Sequence, residues 1–107
     1  MQRDGVQEIT ATSGTQTVND ATGIVYVNPA TLAATLTLKM PPNPQDQDIV
    51  NFQFGGTITG VAAVVSVLTM AANTGQSLVG AALTAANSGN STSYQYRKSN
   101  TTWYKLF

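Results

Sequence analysis

Twice between Ala34 and Phe54 the chain alternates apolar and polar residues, and three prolines stand between the two runs. In Ala34-Thr35-Leu36-Thr37-Leu38-Lys39-Met40 the apolar Leu36, Leu38 and Met40 share one face, and Thr35, Thr37 and Lys39 share the other. Successive Cβ atoms of a strand point to opposite sides, so this is the pattern of a half-buried strand. Ile49-Val50-Asn51-Phe52-Gln53-Phe54 repeats it, with Val50, Phe52 and Phe54 inward, and stops at Gly55-Gly56. The intervening Pro41-Pro42-Asn43-Pro44-Gln45-Asp46-Gln47-Asp48 is a polar, stiff loop, because proline gives no ladder donor and holds the residue before it extended. Two strands flanking this loop are the firmest core assignment in the sequence.

The rest of the chain follows the same period in shorter pieces. Thr15-Gln16-Thr17-Val18 breaks at Asn19-Asp20, and Gly23-Ile24-Val25-Tyr26-Val27 stops at Asn28-Pro29. Thr57-Ile58-Thr59-Gly60 is a short strand or turn. From Val61 to Met70 the chain is apolar on both faces along much of its length, which predicts a strand covered on both sides. Ala71 to Gln76 is a turn, Ser77-Leu78-Val79-Gly80 a brief strand, and Ala81 to Ser91 a small-residue stretch in which the alanines permit a helical turn. Thr92-Ser93-Tyr94-Gln95-Tyr96-Arg97 and Thr101-Thr102-Trp103-Tyr104-Lys105-Leu106-Phe107 flank Lys98-Ser99-Asn100 as a hairpin that runs to the end of the chain. Short strands at this spacing predict an all-β chain: a single antiparallel β-sandwich or jelly-roll-like domain over residues 15–107. Residues 1–14 are expected to form an extended N-terminal arm that becomes ordered on a sheet edge.

For 107 residues and 11.2 kDa, the folded surface should be roughly 5,700 Å2 against about 16,000 Å2 unfolded, enough burial for one core. Only 9% of the residues are charged, yet Val and Thr are abundant, which argues against disorder. The chain contains no His and no Cys, so a soft-metal site, a thiol nucleophile, a Ser-His-Asp triad and a disulfide framework are excluded. Arg3, Lys39, Arg97, Lys98 and Lys105 are balanced by five acids, too little positive charge for a nucleic-acid footprint. No apolar run is long enough to span a bilayer as a helix, and the N-terminus opens no secretory segment. No cofactor and no small-molecule substrate are expected.

Asp46 and Asp48 are a carboxylate pair of a kind that glycosidases and hard-cation sites use. They lack the further ligands and the glycine of a calcium loop, and in a proline-rich loop their ordinary work is local hydrogen bonding. Asp20 reads as a turn former. Tyr94, Tyr96, Trp103 and Tyr104 could stack on a sugar, although cross-strand aromatic pairs also stabilise hairpins. The sequons at Asn90 and Asn100 arise readily by chance in an Asn- and Thr-rich chain.

Taken in order, Leu36-Thr37-Leu38, the segment Met40 to Asp48, Phe52-Gln53-Phe54-Gly55-Gly56, Asn73-Thr74-Gly75-Gln76 and the closing Tyr94-Gln95-Tyr96-Arg97 to Asn100-Thr101-Thr102-Trp103-Tyr104 form a distinctive series. From about Thr15 to Phe107 it resembles the small β-sandwich modules of tailed-bacteriophage virion proteins, found in capsid decoration (cement) proteins, head fibres and tail fibres. That family commonly carries Gly where this chain has Gln47. The resemblance implies a trimeric structural component of the virion with no enzymatic role. A chain one module long, starting at Met1, suits a decoration protein on the outer capsid surface better than a fibre. Its partners would be copies of itself, as a homotrimer, and the major capsid protein of the phage head. The expected trimer contact is the two-sided apolar run, with Val61, Val64, Val65, Val67 and Leu68. The expected shell contacts are Gln7 and Ile9 in the arm and Pro42 and Pro44 in the loop. The alternative is a fibre tip that binds a host receptor or glycan through Tyr94, Tyr96, Trp103 and Tyr104.

Overall fold

The structure, a computed structural model, describes residues 5–29, 31–55 and 63–107. Among these residues ten strands follow one another: β1 (Gly5–Ile9), β2 (Thr15–Thr17), β3 (Thr22–Val27), β4 (Ala33–Lys39), β5 (Ile49–Phe54), β6 (Ala63–Ala71), β7 (Ser77–Val79), β8 (Ala86–Asn87), β9 (Ser91–Arg97) and β10 (Thr102–Lys105). They form a six-stranded sheet in the order β1-β3-β5-β9-β10-β7 and a four-stranded sheet in the order β2-β4-β6-β8. The chain is all-β as expected, but it is not an antiparallel sandwich. β1, β3 and β5 run parallel, and so do β2, β4 and β6.

Successive strands therefore alternate between the sheets, and the chain winds as a coil of three rungs: β1 with β2, β3 with β4, β5 with β6. Parallel neighbours need a long crossover. Here each crossover is itself a strand of the facing sheet. The last third reverses direction: β9 pairs antiparallel with β5, β10 antiparallel with β9, and β8 antiparallel with β6, while β7 runs parallel to β10.

Both runs beside the proline loop form strands with the inward faces expected of them: Leu36, Leu38, Met40, Val50, Phe52 and Phe54 are all buried. They lie in opposite sheets, however, so the loop is a corner rather than the tip of a hairpin. Stacked rungs put like residues in line. Ile9, Val27 and Phe54 make one ladder inside the larger sheet, and Leu36 lies beside Leu68 in the smaller one. β4 and β6 share a further irregularity. Ala34 and Thr35 are exposed together between buried Ala33 and Leu36, and Ser66 and Val67 between buried Val65 and Leu68. Because the step occurs at matching positions, the two strands stay in register through it.

The first rung closes the core with polar groups. Gln7 occupies the ladder of Val25 and Phe52, and Gln16 that of Leu38 and Met70. Gln7 Nε2 donates to the Thr17 carbonyl at 3.2 Å, and its Oε1 accepts from the Asn19 amide at 2.9 Å. Gly5 is required here, since a Cβ at this position would lie 2.3 Å from the Ala21 carbonyl oxygen. Residues 5–9 of the expected arm are thus an edge strand of the larger sheet, bonded to β3.

Candidate functional site

The proline loop and the aromatic hairpin, far apart in sequence, meet. The Gln47 amide donates to the Tyr96 carbonyl at 2.8 Å and the Tyr96 amide to the Asp48 carbonyl at 2.9 Å, so the loop's end prolongs the β5–β9 pairing. Asp48 is buried, and its Oδ2 accepts from the Gln45 amide at 2.8 Å. Asp46, two residues earlier, is exposed and accepts from the Lys98 amide at 3.0 Å. The two carboxylates are thus spent on different backbone groups, and among the described residues no group of three Asp or Glu side chains could hold a metal ion. Asp20 pins the other end of the loop, accepting from the Asn43 amide at 2.8 Å and its side-chain nitrogen at 3.1 Å.

Where loop and strand meet, Asp46, Gln47, Gln95, Tyr96 and Arg97 line an open polar cleft of about 190 Å3. Gln95 and Arg97 reach it because alternation on β9 turns Tyr94 and Tyr96 inward and their neighbours outward. Gln47 bends the chain there with φ of 70°, a left-handed conformation unusual outside glycine.

Behind the loop lies a hydrogen-bonded bracket. Gln76 Oε1 accepts from the buried Trp103 indole Nε1 at 2.9 Å and from the Asn73 amide at 3.2 Å, while its Nε2 donates to the Pro41 carbonyl at 3.0 Å. Asn73 Nδ2 donates to the Met40 carbonyl at 3.0 Å. One turn thereby ties the core tryptophan to the proline loop. The sequence carries no signal of this reach, because an amide after a turn looks the same whether it faces solvent or a partner 27 positions away.

The aromatic residues considered for sugar stacking lie largely inside. Trp103, Tyr94 and Tyr96 are buried, Tyr96 packs on Trp103 with ring centroids 5.1 Å apart, and Phe52 meets Tyr94 edge-on at 6.5 Å. Tyr104 is half-buried, its hydroxyl accepting from Asn100 Nδ2 at 2.7 Å. Burial pushes the Tyr94 phenol above its ordinary pKa, with the Thr92 hydroxyl pulling the other way.

Of the residues expected at a trimer contact, Val64, Val65 and Leu68 belong to this chain's own core, and Val67 is 53% exposed. Val61 lies outside the described residues. The two-sided apolarity of this run has two sources: Val64 and Val65 are buried in succession where the β6–β8 register shifts, and the step matched in β4 then leaves Val67 outside. Of the residues expected at the shell, Ile9 is buried and Gln7 is engaged within the first rung, whereas Pro42 is exposed and Pro44 half-buried. The outer face of the larger sheet carries a different apolar strip at its β1 edge, where Val6, 64% exposed, pairs with Ile24 beside Tyr26, 40% exposed. Among the described residues no helix is long and apolar enough to cross a membrane.

No protein-family model, curated protein or solved structure matches the chain.

Proposed function

We propose that the protein is a structural virion component, a capsid decoration protein that assembles as a homotrimer on the head of a tailed bacteriophage and stabilises contacts between capsomers. The reading rests on the resemblance of the turn and aromatic series to virion modules. One geometric observation supports it: among the described residues, β1 and β2 each have a strand partner on one side only, and both open edges lie at the same end of the coil. Unpaired strand edges beside exposed Val6 and Tyr26 form a surface suited to association with other protein.

In this arrangement three coils stand side by side with their first rungs turned the same way, toward the shell. The outer apolar strip of Val6, Ile24 and Tyr26 takes the subunit contact in place of the Val64 to Leu68 run. Each repeated contact contributes about 25 cal/mol per Å2 of apolar surface buried, before the cost of association. The low charge of the chain spares identical copies from mutual repulsion.

Native mass spectrometry at micromolar concentration tests the assembly. The expected species has three times the protomer mass, and Val6→Lys, which places a charge in the strip without touching the core, shifts it to monomer. A wild-type protein that stays monomeric, or a V6K variant that trimerises unchanged, refutes the proposed contact. Co-sedimentation with phage heads stripped of decoration protein tests the shell contact, and no binding to them would refute the assignment to a virion.

A further inference from the structure

The cleft between the proline loop and β9 shares no residue with the apolar strip at the β1 edge, and its walls carry unspent hydrogen-bonding capacity. Among the described residues the Arg97 guanidinium makes no hydrogen bond or ion pair, and the Asp46 carboxylate uses Oδ1 alone, on the Lys98 amide. Gln95 adds an amide whose Nε2 makes only a long 3.4 Å contact to the Gln47 carbonyl. Opposite charges thus share one small cavity without closing on each other.

We propose that this cleft is a binding site for a neutral, polyhydroxylated ligand of the size of one sugar ring. Four properties converge on that class. The lining holds one carboxylate and one guanidinium, so an anion meets Asp46 and a cation meets Arg97, whereas a neutral hydroxyl-rich ring offends neither. Sugar hydroxyls both donate and accept, matching an acceptor at Asp46, a forked donor at Arg97 and an amide that does both at Gln95. The volume of about 190 Å3 lies below the roughly 300–1,000 Å3 of sites for drug-sized molecules and leaves room within the walls for a single ring. The floor is fixed: Gln47 and Tyr96 are held by paired backbone hydrogen bonds, so the cleft is formed before a ligand arrives.

Tyr96 offers almost no ring surface, since it is 5% exposed, so binding rests on hydrogen bonds to solvated side chains. Single-site affinity is therefore set in the range of about 1 mM or weaker. Presented in many copies on one particle, such sites would act together through avidity. The site differs from the aromatic platform considered from sequence, and it does not depend on the trimer.

The test is a titration of the full-length protein with methyl glucoside, methyl galactoside and methyl mannoside, followed residue by residue by amide NMR. Inorganic phosphate and tetramethylammonium serve as charged probes. At least one neutral glycoside should give saturable shifts centred on Asp46, Gln47, Gln95 and Arg97. Arg97→Ala should weaken that binding about tenfold. Asp46→Asn, which keeps an acceptor for the Lys98 amide, should weaken it while leaving the hairpin's own shifts in place. The proposal is overturned if no glycoside saturates up to its solubility limit. It is equally overturned if phosphate or tetramethylammonium binds more tightly than any glycoside, or if R97A binds like wild type.

Discussion

Replacing Gln76 with Ala removes a side chain that joins the core tryptophan to the proline loop. Trp103 is fully buried, and its indole Nε1 has Gln76 Oε1 as its acceptor. A buried donor stripped of its partner costs about 1–3 kcal/mol. The Asn73 amide and the Pro41 carbonyl lose partners too, but Gln76 is only half-buried, so water replaces part of those bonds and their share stays near the ordinary ~0.5–1.5 kcal/mol. The expected loss is about 2–3 kcal/mol, which for a domain of this size lowers Tm by roughly 8–15 °C. Trp103 is the sole tryptophan, so urea denaturation followed by its fluorescence reads both stability and the altered indole environment. The midpoint should fall with an unchanged m-value. Trp103→Phe in the same background separates the bracket from mere loss of side chain: Q76A should cost at least about 1 kcal/mol less once the indole donor is gone. A Q76A variant within about 0.5 kcal/mol of wild type, or strict additivity in the double mutant, would refute the reasoning.

Gln47→Gly should stabilise the protein by about 0.5–1 kcal/mol: the left-handed conformation at φ 70° costs a side chain ~1–2 kcal/mol, and the added freedom of glycine in the unfolded chain takes back part of that. Equal or lower stability of Q47G in urea titrations would show that the Gln47 backbone carries no strain. Tyr94 gives a pH dependence of definite sign. Burial raises its folded pKa above the unfolded value near 10, so folding favours the neutral phenol. Its contribution is whole below pH 10 and is lost as pH climbs toward the folded pKa, by up to about 1.4 kcal/mol per pH unit. Tyr94→Phe should flatten the alkaline decline of the urea midpoint, and a decline as steep as that of wild type would refute the assignment.

The strands and their inward faces were legible in the sequence because period two survives any choice of neighbour. Leu36, Leu38 and Met40 face the core whether β4 pairs antiparallel with β5 or parallel with β6. The pairing itself was not legible. A corner that carries the chain to the facing sheet uses the same Pro, Gly and Asn residues as a hairpin turn, and here the true partner lies a whole rung away, as Leu36 is from Leu68. The rungs also differ in length: Thr15 meets Thr37 on β4, while Ala33 meets Val65 on β6, so no repeat was there to be detected. The hairpin of β9 and β10 was legible because its turn joins sequence neighbours. Of the cleft, Asp46 stood out as a carboxylate, but Gln95 and Arg97 did not. Their relevance depends on β9 pairing with β5 so as to bring its far end beside Gln47.

A coil of stacked rungs exposes strand edges at both ends, and the treatment of each end decides what can grow from it. At the far end the reversal at β9 stops the parallel ladder, and the outermost strands, β7 and β8, have three residues and two. Edges that short give another chain little to pair with. The near end is different. Gln7 and Gln16 close the core there with amides, but the outward backbone of β1, five residues long, stays open among the described residues. If both ends were equally open, copies could join head to tail without limit, as in a filament. With one end blunted, an assembly through the open end stops once that end is covered, and extension along the coil axis is blocked. This asymmetry favours a finite assembly over an open-ended filament.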